Sequence, residues 1–170
     1  YPYTNIELDI NNGKRGDRNF HVNKLLNSLT HSKASIVVNN NAAAVLLMLN
    51  SISYNKEVLI SRGQQVEIGG SYRIPDTIEK SGCKMVEVGA TNKTHLKDYE
   101  NAINGNTGAI LVAHTSNYKV IGFTQDVDLS NLVSLAKRKR IPLLVDLGSG
   151  AIANFDNTSI PNEPVVSSYI

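Results

Sequence analysis

LSNLVSLAKRKRIPLLVDLGSG, residues Leu129–Gly150, decides the fold of this chain. Apolar residues on a helical period predict a helix over Leu129–Arg138, with Asp128 as its cap. The basic run Lys137-Arg138-Lys139-Arg140 reads as the solvated, dipole-favoured end of that helix rather than as a nucleic-acid contact. A wholly apolar strand follows over Pro142–Val145 and stops at Asp146 beside Gly148 and Gly150. The same alternation extends toward the N-terminus. Strands are predicted at Ile36–Val38, Glu57–Ser61, Lys84–Val88 and Ala109–Ala113. Helices are predicted over Ala42–Ile52, over Ile74–Ser81 between Pro75 and Gly82, and over Leu96–Ile103 behind a Thr94 cap. Runs such as AILVA and PLLV have no polar side, which suits strands covered from above and below. The fold class is therefore α/β, a mostly parallel sheet with helices on both faces.

Composition narrows the class further. The 170 residues suffice for one domain with a real core, and 41% hydrophobic with 19% charged residues describe a globular chain. A net charge of +2 is too small to argue for nucleic acid by itself. The single cysteine, Cys83, excludes an internal disulfide and fits a reducing, cytoplasmic setting. His21, His31, His95 and His114 lack metal-ligand spacing. No apolar run is long enough to span a bilayer, and no signal-peptide pattern is present, so no membrane partner is expected. The opening Tyr1-Pro2-Tyr3 and the close at Ser168-Tyr169-Ile170 predict a piece of a longer polypeptide.

In a parallel sheet, ligands sit beyond the carboxyl ends of the strands, so the residues there matter most. IVVNNNAAAVLLML (Ile36–Leu49) brings a polar turn onto a helix start. Asn40 or Asn41 is either an N-cap or, with Ala42, part of an anion seat at the positive end of the helix. The segment from Ser61 to Tyr72 follows the second strand, and His114-Thr115-Ser116-Asn117-Tyr118 follows the fourth. Asp146 leaves the fifth strand. It caps a turn, or it holds a heterocyclic nitrogen, a metal or a ribose. A phosphate seat, then an amide, then an aspartate is the layout of a pyridoxal phosphate site. In it Asn40, Asn41 and Ala42 take the phosphate, Asn117 faces the ring 3′-oxygen and Asp146 keeps the pyridine nitrogen protonated. The glycine fingerprints of dinucleotide and P-loop sites are absent.

GKRGDR (Gly13–Arg18), VVNNNAAAVLLML, VLISRGQQVEIGGSYRIPD (Val58–Asp76), VEVGATNKTHLKDYENAI (Val86–Ile103), HTSNYKVIGFT (His114–Thr124) and VDLGSG (Val145–Gly150) together resemble the bacterial selenocysteine synthases. These are L-seryl-tRNA(Sec) selenium transferases. The likeness is weakest after Ile152. It implies an incomplete large domain of the aspartate-aminotransferase-like fold type (pyridoxal phosphate fold type I). The implied reaction converts L-seryl-tRNA(Sec) to L-selenocysteinyl-tRNA(Sec) with selenophosphate through a dehydroalanyl intermediate. Asp146 and Asn117 match the family's ring-nitrogen and ring-oxygen residues. Arg15 and Arg18 match its Lys-Arg-Gly-x-Arg pattern, so the likeness makes them anion-binding catalytic residues; arginine's planar fork suits oxyanions. Their plain alternative is surface solubility.

The family's Schiff-base lysine lies in a Gly-Asp-Lys-Leu-Leu-Gly-Gly motif that this sequence lacks, so the segment alone is expected to be inactive. Homo-oligomers with sites between subunits are implied as well. We divide the chain into a leading segment with the basic loop, residues 1–30, and a partial cofactor-binding domain, residues 31–170. Two other readings stand beside this one. One is a related pyridoxal phosphate lyase acting on a small amino acid or amino sugar. The other is a non-catalytic folding or oligomerisation module.

Overall fold

The computed structural model describes residues 4–155 and 163–170. The opening Tyr1-Pro2-Tyr3 and part of the tail after Ile152 lie outside the described residues. The chain forms two compact units, one of residues up to Val38 together with those from Gly150 onward, the other of Asn39–Ser149.

In the first unit, β1 (Leu8–Asp9) pairs antiparallel with β2 (Lys14–Arg15). The Asp9 carboxylate ties the turn between them, accepting from Asn11 N at 2.9 Å and Asn12 Nδ2 at 2.6 Å. Helix α1 (Phe20–Thr30) follows and ends at His31, whose φ of 59° closes it in the left-handed region. In the tail, Ala151 bridges Val165, and a 3-10 turn over Val166–Ser168 leans on α1.

The strand predicted at Ile36–Val38 is absent: the segment is irregular, with Ile36 63% and Val37 53% exposed. Branched side chains favour a pleated, half-covered surface, and that preference yields a strand only where a neighbouring strand pairs with it. None does here.

The second unit carries the sheet. Its elements are α2 (Asn41–Ser53), β3 (Glu57–Ser61), the short β4 (Glu67–Ile68) and β5 (Tyr72–Arg73), α3 (Ile74–Lys80) and β6 (Lys84–Val88). Then come α4 (Leu96–Ala102), β7 (Thr107–Ala113), α5 (Leu129–Lys139) and β8 (Leu143–Asp146). The main sheet runs β6-β3-β7-β8 with every pair parallel, and β4 and β5 form an antiparallel hairpin after β3.

Alternation along the strands divides the core into two layers. Val58, Ile60, Ala109, Leu111 and Leu144 point to one face, where Val45 and Leu49 of α2 and Ile74 and Ile78 of α3 cover them. Leu59 and Ile110 point to the other, under Tyr99 of α4 and Leu132 and Leu135 of α5. Leu49, Leu59, Ile60 and Leu111 are 0% exposed, and burying each such side chain stabilises the fold by about 1.5–3 kcal/mol.

Two caps differ from expectation. His95, not Thr94, precedes α4, and its backbone N–H donates to the Asp98 carboxylate at 2.8 Å. Thr94 instead shares a buried hydroxyl–hydroxyl hydrogen bond of 2.7 Å with Ser61. Asp128 does stand before α5, but its side chain makes no capping bond. The basic end of α5 is solvated, with Arg138 paired to Glu100.

Candidate functional site

Sheet order fixes where a ligand fits. The chain leaves β3 toward β6 on one side and leaves β7 toward β8 on the other, and in parallel sheets ligands bind beyond the carboxyl ends of the strands at such a switch point. The loops there are tied together. Gln64, in the turn after β3, accepts from the backbone N–H of Ala113 through its Oε1 at 3.2 Å. The Tyr118 hydroxyl donates to the Gly63 carbonyl. Asn117 donates from Nδ2 to the Glu67 carbonyl at 2.9 Å, fastening the β4–β5 hairpin to the loop after β7.

Asp146 ends β8 on the face covered by α2 and is 7% exposed. Its Oδ1 accepts two hydrogen bonds, from Asn41 Nδ2 at 3.0 Å and from Gly148 N at 2.9 Å. Gly148 reaches that position with φ +65°, a conformation glycine adopts freely, and its amide thereby turns back on the carboxylate. The Asp146 carbonyl also accepts from His114 N at 2.8 Å, the last rung between β7 and β8. A carboxylate held by two donors through one oxygen keeps its second oxygen, Oδ2, for a further donor.

Asn41, the side-chain donor to Asp146, is the first residue of helix α2. Asn40 is its N-cap, and the Asn40 side chain accepts from Ala43 N at 2.9 Å. The next amides of the first turn, those of Asn41 and Ala42, have no partner within the helix and lie at the positive end of its dipole. The structure therefore brings Asn40, Asn41, Ala42 and Asp146 to one place, with Asn117 in the adjoining loop network. Asn40 acts there as a cap, and the donors turned outward belong to its two successors.

Arg15 and Arg18 lie in the first unit, where both pair with Glu7: Arg15 Nη2 at 3.4 Å and Arg18 Nε at 2.8 Å. Their side chains are 84% and 74% exposed, so these pairs add little stability and leave both guanidinium groups open to solvent.

Two side chains of the network received no role from sequence reasoning: Gln64 and Tyr118. Gln64 and Tyr118 bond to backbone groups, a use that no residue pattern announces. Among the described residues, no helix is long and apolar enough to cross a membrane.

Comparison with known proteins places these residues in context. The family described as L-seryl-tRNA selenium transferase matches residues 1–170. An L-seryl-tRNA(Sec) selenium transferase of Nitratidesulfovibrio vulgaris is 54% identical over 99% of this chain, which spans 36% of that relative. Among solved structures, a D-glucosaminate-6-phosphate ammonia-lyase superimposes with a TM-score of 0.66 at 20% identity, over 74% of this chain and 37% of its own. A GDP-4-keto-6-deoxymannose-3-dehydratase with a trapped PLP-glutamate geminal diamine gives 0.56 at 16% identity, over 82% and 36%. At those identities the structural likeness shows the fold alone. It is the large domain of pyridoxal phosphate fold type I, aspartate-aminotransferase-like, of which this chain spans a part.

Proposed function

Because this chain belongs to the L-seryl-tRNA selenium transferase family, we propose that it forms part of the cofactor-binding domain of a transferase that makes L-selenocysteinyl-tRNA(Sec) from L-seryl-tRNA(Sec). Pyridoxal phosphate is the cofactor and selenophosphate the selenium donor. The observation that carries this reading is the Asn41–Asp146 hydrogen bond, which joins a helix N-terminus to a buried carboxylate at a strand end. An anion seat beside a fixed counter-ion for a ring nitrogen is the donor set that pyridoxal phosphate requires.

When bound, pyridoxal phosphate supplies an electron sink for charge developing beside the substrate amine. The chain's own residues hold and tune it. The Asn41 and Ala42 amides receive the phosphate, while Asn40 locks the first turn and keeps them turned outward. Asp146 Oδ2 holds the proton on the ring nitrogen, and the two bonds to Oδ1 stop the carboxylate from rotating away. Asn117 has a second amide hydrogen beyond the one given to Glu67, and we assign it to the ring 3′-oxygen. Arg15 and Arg18 exchange Glu7 for an oxyanion of selenophosphate or tRNA. The lysine that anchors the cofactor stands outside these 170 residues, none of which carries the family's Gly-Asp-Lys pattern. We further place the enzyme in the cytoplasm as a homo-oligomer. The lone reduced Cys83, buried and donating to the Ser53 carbonyl at 3.1 Å, supports the compartment.

The test uses the full-length protein and its Asp146→Asn variant. The amide oxygen can replace Oδ1 toward Asn41 and Gly148, so the variant should fold and still bind pyridoxal phosphate by absorbance titration. It should convert seryl-tRNA(Sec) at least about a hundredfold more slowly, because a neutral amide cannot keep the ring nitrogen protonated and the electron sink is weakened. Turnover close to the unsubstituted protein would remove the role given to Asp146.

A further inference from the structure

The sequence holds two asparagine–glycine pairs, Asn12-Gly13 and Asn104-Gly105, and both are exposed. Such a pair can close on itself, because glycine has no side chain to shield its nitrogen from the asparagine amide carbon. Both asparagines sit in turns and are held alike. Asn12 Oδ1 accepts from Lys14 N at 2.9 Å, and its Nδ2 donates to Asp9 at 2.6 Å. Asn104 Oδ1 accepts from Asn106 N at 2.7 Å, and its Nδ2 donates to Glu57 at 2.8 Å. In each, an amide two residues on polarises the carbonyl and can stabilise an oxyanion formed there. The two pairs differ at the attacking atom. Gly13 N donates to the Asp9 carbonyl at 2.8 Å, whereas Gly105 N has no partner among the described residues. Nothing lies within 4 Å of a Cβ added at Gly105, so the turn has room to deform.

We infer that Asn104 is a spontaneous modification site, which ages to aspartate or isoaspartate and so unties the amino ends of β3 and β7. The Gly105 nitrogen loses its proton to solvent base and bonds to Asn104 Cγ; the Cγ–Nδ2 bond breaks and ammonia leaves. Water then adds to either carbonyl of the imide ring and opens it. The product is aspartate, or isoaspartate with the main chain rerouted through Cβ and Cγ. Aspartate puts a carboxylate where Nδ2 donated to Glu57, whose side chain is only 12% exposed, so water screens the two charges poorly. Isoaspartate also loses that donor. It lengthens the main chain by one atom just before Asn106, whose carbonyl accepts from Glu57 N at 2.9 Å.

The experiment incubates the full-length protein and its Gly105→Ala variant in mildly alkaline buffer. Peptides are then mapped by mass spectrometry, and isoaspartate is labelled with an isoaspartyl methyltransferase. The space beside Gly105 admits the added methyl group, which shields the nitrogen without disturbing the fold. Acid should accumulate at position 104 at least about fivefold faster than at position 12, where a hydrogen bond holds the glycine nitrogen back. Gly105→Ala should slow the change at position 104 alone. An unmodified Asn104, equal rates at the two pairs, or no slowing in the variant would overturn the inference. A second variant, Asn104→Asp, supplies one product in pure form. Its urea midpoint should lie below that of the unsubstituted protein at neutral pH, and the gap should shrink as pH falls into the carboxylate range. Equal midpoints at neutral pH would overturn the untying of β3 and β7.

Discussion

A double-mutant cycle on Asn41 and Asp146 tests whether the link across the site is energetic or only a near contact. The four proteins are the parent, Asn41→Ala, Asp146→Ala and the pair, each free of cofactor. A hydrogen bond to a charged acceptor contributes about 1.5–3 kcal/mol. Here Asp146 is 7% exposed but Asn41 is exposed, so its amide turns to water when the carboxylate is removed. The Gly148 amide, at 2.9 Å, also continues to satisfy Oδ1 when Asn41 is truncated. Both facts lower the expectation, to a coupling of about 1–2 kcal/mol. Single substitutions mislead at this position: alanine improves helix propensity in α2 by up to about 0.7 kcal/mol, masking part of the lost bond. The cycle cancels that gain, together with the volume lost at Asp146. Urea melts at constant slope give the four free energies. Additivity within about 0.3 kcal/mol would refute the reasoning, leaving the 3.0 Å bond without a part in holding the site.

Gly89 follows β6 at φ +71°, where an added Cβ would lie 2.4 Å from Thr94 Oγ1 and 2.9 Å from the Lys93 carbonyl. Thr94 is itself held by Ser61, so Gly89→Ala should destabilise the protein by at least about 2 kcal/mol in a denaturant melt, and an unchanged midpoint would contradict this. Glu57 at the start of β3 accepts from Asn104 Nδ2 at 2.8 Å and Lys84 Nζ at 3.1 Å, with the Asn104 bond the larger cause of its lowered pKa. Its stabilising part is thus complete above the ordinary value of 4.5 and is lost as pH falls through the lowered one. Glu57→Gln should flatten the acid limb of stability measured from about pH 7 to about pH 3, and parallel profiles for the two proteins would reject the assignment.

Strands β3 and β6 stand where the sequence predicts them: β3 carries the apolar run Val58-Leu59-Ile60, and β6 intersperses charged with apolar residues after the Gly82 turn. Helix α3 was equally legible, from Pro75 at its start to the Gly82 turn. Ile36–Val38 misled because propensity is local while strand pairing is not. The α4 cap shifted by one residue because the buried Ser61 hydroxyl, distant in sequence, claims Thr94. In the site, Asn40, Asn41, Ala42 and Asp146 were named from residue type alone, and the structure sets them together. Their division of labour was not readable: whether an asparagine caps or reaches across depends on which one begins the helix.

The Asn41–Asp146 bond spans 105 positions of the chain. During synthesis, the helix that would seat an anion is complete long before the strand that ends in its counter-ion has been made. A nascent chain stopped short of Asp146 holds one half of the site and nothing to set it against. A ligand that needs both halves would therefore find them together only after the four strands have aligned, and its binding could not guide the folding of the helix.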